Sequence, residues 1–138
     1  LTLTDVRRGI EVSAGLLTRL ELDGIRYHVA PQTLSAAPPT SHLYLLPGFD
    51  EYLLGYADRT AALSPSRADA VVPGGNGMFK PTVVVDGVVV GTWRRTVTAR
   101  EVVVEPLLWH PLPRGLRVAL CEAADAYGAF LGRSARLA

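Results

Sequence analysis

The chain has 138 residues, with 14 Lys+Arg against 13 Asp+Glu, a formal net charge of +1, 49% hydrophobic residues and one cysteine. Such a length and apolar content suit one ordinary domain or two small modules with a real core, and exclude global disorder. A single cysteine excludes an intramolecular disulfide framework and every multi-cysteine zinc or iron–sulfur site.

No apolar run approaches the ~18 residues needed to cross a bilayer, and no basic-then-apolar signal pattern opens the chain. No membrane association is expected, and a reducing cytoplasm is the expected compartment. The sequence starts at Leu1 instead of methionine, which suggests a processed or truncated polypeptide.

In chain order, Thr2 or Thr4 is placed to cap a short helix around 5–8, and Ser13 a second around 14–17. The run RLELDGIRYHV then predicts a hairpin on a two-residue Asp23–Gly24 turn. Its register pairs Leu22 with Ile25, Glu21 with Arg26, Leu20 with Tyr27 and Arg19 with His28. One face becomes apolar (Leu20, Leu22, Ile25, Tyr27), the other polar (Arg19, Glu21, Arg26, His28). Short helices followed by a hairpin are the order found at the end of a winged helix, whose wing flanks the recognition helix on DNA. The alternative is a helix–hairpin packing unit that touches no nucleic acid. Residues 1–31 therefore read as the C-terminal portion of such a module, and the proline-rich stretch 32–41 as a linker without a regular element.

The second unit, 42–138, begins with a strand over 42–46 and a break at Pro47–Gly48. A short helix is expected over 49–54, with Phe49, Leu53 and Leu54 toward the core. Asp50, Glu51 and Asp58 are grouped so that they could orient Arg59, or could simply face solvent. Ser64 or Ser66 is placed to cap a turn reaching Asp69. The loop PGGNG at 73–77 lacks the lysine–hydroxyl ending of a phosphate loop and the G-x-G-x-x-G spacing, and reads as a glycine-rich turn.

MFKPTVVVDGVVVGTWRR is the most ordered signal. An Asp86–Gly87 turn pairs Val85 with Val88, Val84 with Val89, Val83 with Val90 and Thr82 with Gly91. Extending that ladder sets Lys80 opposite Trp93, within reach of a cation–π contact. Valine on both faces predicts burial on both sides near the turn, or a place in a small barrel. A third strand over 101–105 should end its pairing at Pro106. A final helix over 113–131 buries Leu116, Leu120, Ala123, Tyr127, Phe130 and Leu131 and is capped by Gly132. The fold class is α+β: a partial winged-helix module, then a small β-rich domain, barrel-like or a hairpin sheet, closed by a C-terminal helix.

Charge is unevenly spread. Residues 42–79 carry Arg59 and Arg67 against Asp50, Glu51, Asp58 and Asp69, whereas 80–100 carry Lys80, Arg94, Arg95 and Arg100 against Asp86 alone, a local +3. An arginine-bearing hairpin can meet phosphates, although such an excess also occurs on ordinary solvated strands. His28, His42 and His110 form no metal-binding spacing, Cys121 reads as a buried or boundary packing residue, and no serine sits in a nucleophile elbow. No catalytic residue, metal or cofactor is expected.

The runs LLPGFDEYLLGYADR and PGGNGMFKPTVVVDGVVVGTWRR, in that order, closely resemble the C-terminal part of the winged-helix DNA-binding family that includes the AlkZ-like crosslink-repair DNA glycosylases. The resemblance covers roughly 42–131, with 19–30 matching the wing upstream. It implies tandem winged-helix modules followed by a small β-rich domain, and hydrolysis of the N-glycosidic bond of alkylated or crosslinked purines. The family's glycosylase motif, Gln-x-Gln or Gln-x-Asp, lies in its larger N-terminal region. Here the only glutamine is Gln32, in PQTL, which fits neither form.

The chain is thus expected to be a C-terminal fragment or shortened relative that engages double-stranded DNA without catalysing. The missing N-terminal winged-helix modules of the same protein would be its intramolecular partners. Lys80, Arg94, Arg95 and Arg100, with Arg19, Arg26 and His28 on the wing, are the candidate phosphate contacts. On this basis, replacing Arg94 and Arg95 together by alanine should weaken duplex binding and its salt dependence. The rival expectation is a structural or interaction module docking to those N-terminal domains, with its basic groups on a protein surface.

Overall fold

A computed structural model describes residues 1–22, 24–35 and 42–138. The chain divides into two compact units, Leu1–Pro39 and Thr40–Ala138.

In the first unit, α1 runs over Leu3–Val12, longer than the expected 5–8. Thr2 is its cap: Asp5 N–H donates to Thr2 Oγ1 at 3.2 Å and Thr2 N–H donates to Asp5 Oδ2 at 2.8 Å. This reciprocal box satisfies two otherwise orphan donors. The Thr2 N–H, and the Thr2 hydroxyl that also donates to Asp5 Oδ2 at 2.7 Å, favour the charged carboxylate, so Asp5 titrates below its usual value. Ala14–Leu16 is a single 3₁₀ turn, which Ser13 precedes without a side-chain cap.

Strands β1 (Thr18–Leu22) and β2 (Ile25–Val29) pair in the expected register, with Leu22 opposite Ile25 and Arg19 opposite His28. Gly24 supplies the left-handed conformation, φ +74°, that the turn requires; its partner in the expected turn, Asp23, lies outside the described residues. Pro31–Ser35 form a helical turn, α2, inside the stretch expected to be irregular. The rest of that linker, 36–41, lies outside the described residues. None of the described residues of this unit is buried.

The second unit is a five-stranded sheet in the order β3-β4-β5-β6-β7. Its strands are β3 (Leu43–Leu46), β4 (Thr82–Val85), β5 (Val88–Val97), β6 (Glu101–Leu108) and β7 (Ser134–Leu137). The first four run antiparallel; β7 lies parallel to β6, with Val102 beside Ala135. This last strand was not expected from the sequence.

Valines are buried on both sheet faces, as expected, except that Val88 beside the turn and Val97 are exposed. Leu43, Val83, Trp93, Val102 and Val104 pack under helix α5 (Arg114–Phe130) with Leu120 and Ala124. On the opposite face Val84 and Val89 pack with Leu53, Leu63 and Val71. Those last three come from α3 (Glu51–Leu54), the following loop and α4 (Ala68–Val71).

Several sequence expectations are corrected. The β4–β5 register holds for Val85–Val88 and Val84–Val89. It then shifts by one, so that Val83 faces Gly91 and Thr82 faces Thr92. A Cβ on Gly91 would lie 2.6 Å from the Leu107 carbonyl oxygen, so β6 comes closest where no side chain stands, and Val90 becomes the extra residue of a bulge. Trp93 therefore lies beside Pro81, to whose carbonyl its N–H donates at 3.1 Å. Its ring is 3% exposed, edge-on to Tyr127 at 5.4 Å, with Nε1–H donating to the Leu46 carbonyl at 2.8 Å. The Lys80–Trp93 cation–π pair is thereby replaced.

Pro106 does not end β6. The Trp93 N–H points to β4, so its cross-strand neighbour Pro106 turns its own nitrogen away from β5, toward an edge that β7 no longer covers. Cys121 is exposed, neither buried nor at a packing boundary, and Phe130, at 83% exposure, lies off the apolar stripe of α5. Gly132 closes that helix as expected, at φ +65°: its N–H donates to Ala129 and that of Arg133 to Gly128, a Schellman motif.

Phe49 is also corrected. It precedes α3 at φ +61° and is half exposed. Asp50 caps α3, its Oδ1 accepting from Tyr52 N–H at 2.9 Å.

Among the described residues no helix is long and apolar enough to cross a membrane.

Candidate nucleic-acid interface

Strand direction decides where the basic residues go. β3 ends, β4 begins, β5 ends, and β6 and β7 begin at the same end of the sheet. Lys80 lies just before β4, Arg94 and Arg95 are late in β5, and Arg100 sits in the β5–β6 turn. All four are exposed, but β5 continues from Thr92, opposite the start of β4, to Val97, so Lys80 lies level with Arg94 and Arg100 stands at the far tip. The unexpected β7 adds Arg133 just before its start and Arg136 within it. The opposite end carries the β4–β5 turn with Asp86, whose Oδ1 accepts from His42 N–H at 2.9 Å.

The individual side chains differ in what they have free. Arg94 Nε donates to Glu105 Oε2 at 2.6 Å across the β5–β6 pair, and Arg136 lies 3.5 Å from Glu101 on the same sheet face. Arg95 leaves the other face, its guanidinium 5.7 Å from the Tyr127 ring centroid. Arg133 fastens the turn, donating to Thr98 O at 2.8 Å and Leu131 O at 2.9 Å. Thr98, Ala99, Arg100, Glu101 and Ser134 line a shallow hollow of about 470 Å³, and the Arg100 guanidinium makes no ion pair among the described residues. Lys80 and Arg95 likewise make none. Sequence reading missed Arg133 and Arg136 because their position depends on β7.

Arg19, Arg26 and His28 share the exposed polar face of the β1–β2 hairpin together with Glu21. They belong to the first unit and form a separate group.

A larger hollow of about 710 Å³ is lined by Asp58, Arg59, Asp69, Phe79 and the glycine loop. Its charged groups are largely engaged within the fold. Arg59 donates to Leu53 O at 2.5 Å and lies 5.0 Å from the Phe79 centroid, without the carboxylate partner considered from sequence. Asp58 accepts from Thr60 N–H and Oγ1, which lowers its pKa, and Asp69 accepts from Gly74 N–H. Among the described residues no three His, Cys, Asp or Glu side chains gather as a metal site.

A helix–hairpin unit and a mixed sheet with a basic end define an α+β protein. The chain belongs to the AlkZ-like DNA glycosylase family, whose model, described as "DNA glycosylase AlkZ-like", matches residues 1–130. It is 33% identical over 93 residues to the interstrand DNA cross-link repair glycosylase of Streptomyces sahachiroi, covering 65% of this chain and 24% of that protein. The solved structure of Streptomyces sahachiroi DNA glycosylase AlkZ matches all of this chain and 38% of its own, with a TM-score of 0.69 and 28% identity. The chain thus spans only a minor part of the relatives it matches.

Proposed function

We propose that this chain is the DNA-engaging C-terminal part of a glycosylase-like protein of the cytoplasm, supplying duplex contacts and leaving base excision to residues outside it. The carrying observation is the basic end of the sheet, where Lys80, Arg94, Arg95, Arg100, Arg133 and Arg136 stand against Glu101 and Glu105, with Asp50 and Glu51 on the segment that follows β3. Cations at one end of a sheet, here on both of its faces, can meet a phosphate backbone and release its counterions; such contacts position a duplex without reading its sequence. The family relationship supports the choice of DNA over another polyanion.

Lys80, Arg95 and Arg100 are the groups to test, because Arg94 already shares its charge with Glu105. The variant Lys80→Gln/Arg95→Gln/Arg100→Gln should bind a short duplex more weakly. The slope of log K against log salt should fall by about 0.9 for each phosphate that is no longer neutralised. Unchanged affinity and slope would refute the assignment.

A second reading has its own observation. Leu3, Val6, Leu22, Ile25 and Tyr27 are exposed in a unit with no buried described residue, which suits docking against further winged-helix modules of the same protein. In that reading the triple variant leaves DNA binding intact.

A further inference from the structure

We propose that Phe49 is an apolar wedge that stacks on a DNA base at the basic end of the sheet, an inference that rests on the duplex-contact reading. Phe49 has φ +61°, a left-handed conformation that a bulky side chain rarely adopts. It is held there from both sides. A Cβ on Gly48 would come within 2.8 Å of the Phe79 carbonyl oxygen, so the backbone before it is pressed against the neighbouring segment. After it, Asp50 is fixed by its cap on α3.

The ring does not join the core beside it. Leu53 and Leu46 serve that core while Phe49 stays 50% exposed. A strained aromatic kept outward is a feature to explain by what it touches.

Its position supplies the occupant. Leu46 pairs with Thr82 and its carbonyl accepts from Trp93 Nε1, so the turn carrying Phe49 follows β3 at the end where Lys80 precedes β4 and Arg94 follows Trp93. Gly48 packs against Phe79 and Pro81, so among the described residues the nearest unpaired cation to this turn is Lys80, with Asp50 and Glu51 following the ring; a cation that holds a phosphate beside an apolar ring is complementary to a nucleotide, as in proteins that insert Phe or Leu at a base step.

The test uses the 138-residue chain and two duplexes, one intact and one with 2-aminopurine opposite an abasic site. Phe49→Gly removes ring and strain together; Phe49→Asn, which tolerates the same backbone, is the second variant if glycine loosens the turn. Each should retain the parent's melting temperature or exceed it. Affinity for the unpaired-base duplex should fall roughly 5- to 100-fold. The salt slope should stay unchanged, because the charge is unaltered, and the 2-aminopurine quenching seen with the parent should disappear. Phe49→Trp should restore both. If the Gly and Asn variants bind and quench like the parent while the Lys80/Arg95/Arg100 variant weakens, Phe49 is only a turn residue. If all of them bind like the parent, the duplex-contact reading fails too.

Discussion

Trp93→Ala should lower the stability of the second unit by about 3–5 kcal/mol, the range for removing a fully buried large aromatic side chain. Trp93 is nearly solvent-free, and its ring fills the space between the sheet and Tyr127. Its indole N–H also ties β5 to Leu46 at the end of β3, across the intervening β4. Alanine removes the ring volume and leaves the Leu46 carbonyl without that donor. For a unit of this size the melting temperature should drop by roughly 15 °C or more. Trp93→Phe separates the two contributions: it keeps most of the packing and should lose only about 1–2 kcal/mol. Calorimetry on both variants checks this, and an alanine variant melting with the parent would show that the ring is not part of the core.

Gly91→Ala should damage the same sheet by a different route. The new Cβ would lie 2.6 Å from Leu107 O and 2.9 Å from Leu108 Cα. Both are backbone atoms of the next strand, so no side-chain rotation relieves the clash. β5 and β6 must separate locally, at a cost of at least about 1–3 kcal/mol. Hydrogen exchange should report it as faster exchange at Trp109 N–H, which donates to Val90 O beside the bulge. Unchanged protection there would contradict the account of why the bulge forms.

Gly91 also marks the limit of what local sequence conveys. The first strand pairs of both hairpins were legible, because a two-residue turn dictates where pairing starts. Counting outward from Asp86–Gly87 fails after Val84, since the bulge is set by how closely β6 approaches, a tertiary fact whose only local trace is a glycine after three valines. The final helix was legible through its stripe and Gly132, whereas Phe130 was misassigned, being apolar but beyond the part of the helix that the sheet covers.

β7 was not legible. SARL is too short to declare itself, and it becomes a strand because β6 offers an open edge to a chain turned back by the Schellman motif. The candidate site follows the same division. Lys80, Arg94, Arg95 and Arg100 were readable as a local charge excess. Arg133 and Arg136 join them only through β7, and Glu105 restrains Arg94 only through the β5–β6 register. Phe49 was expected inside as the first apolar residue of a helix over 49–54; with Asp50 as the cap, that helix starts at Glu51, two residues later, and leaves Phe49 outside it.

The most direct measurement is amide chemical-shift mapping of the 138-residue chain titrated with a short duplex at low salt. The largest changes should fall at the basic end of the sheet: Phe49, Lys80, Arg94–Arg100 and Arg133–Arg136. Changes confined to the apolar face of the β1–β2 hairpin, or absent while the protein stays folded, would contradict it.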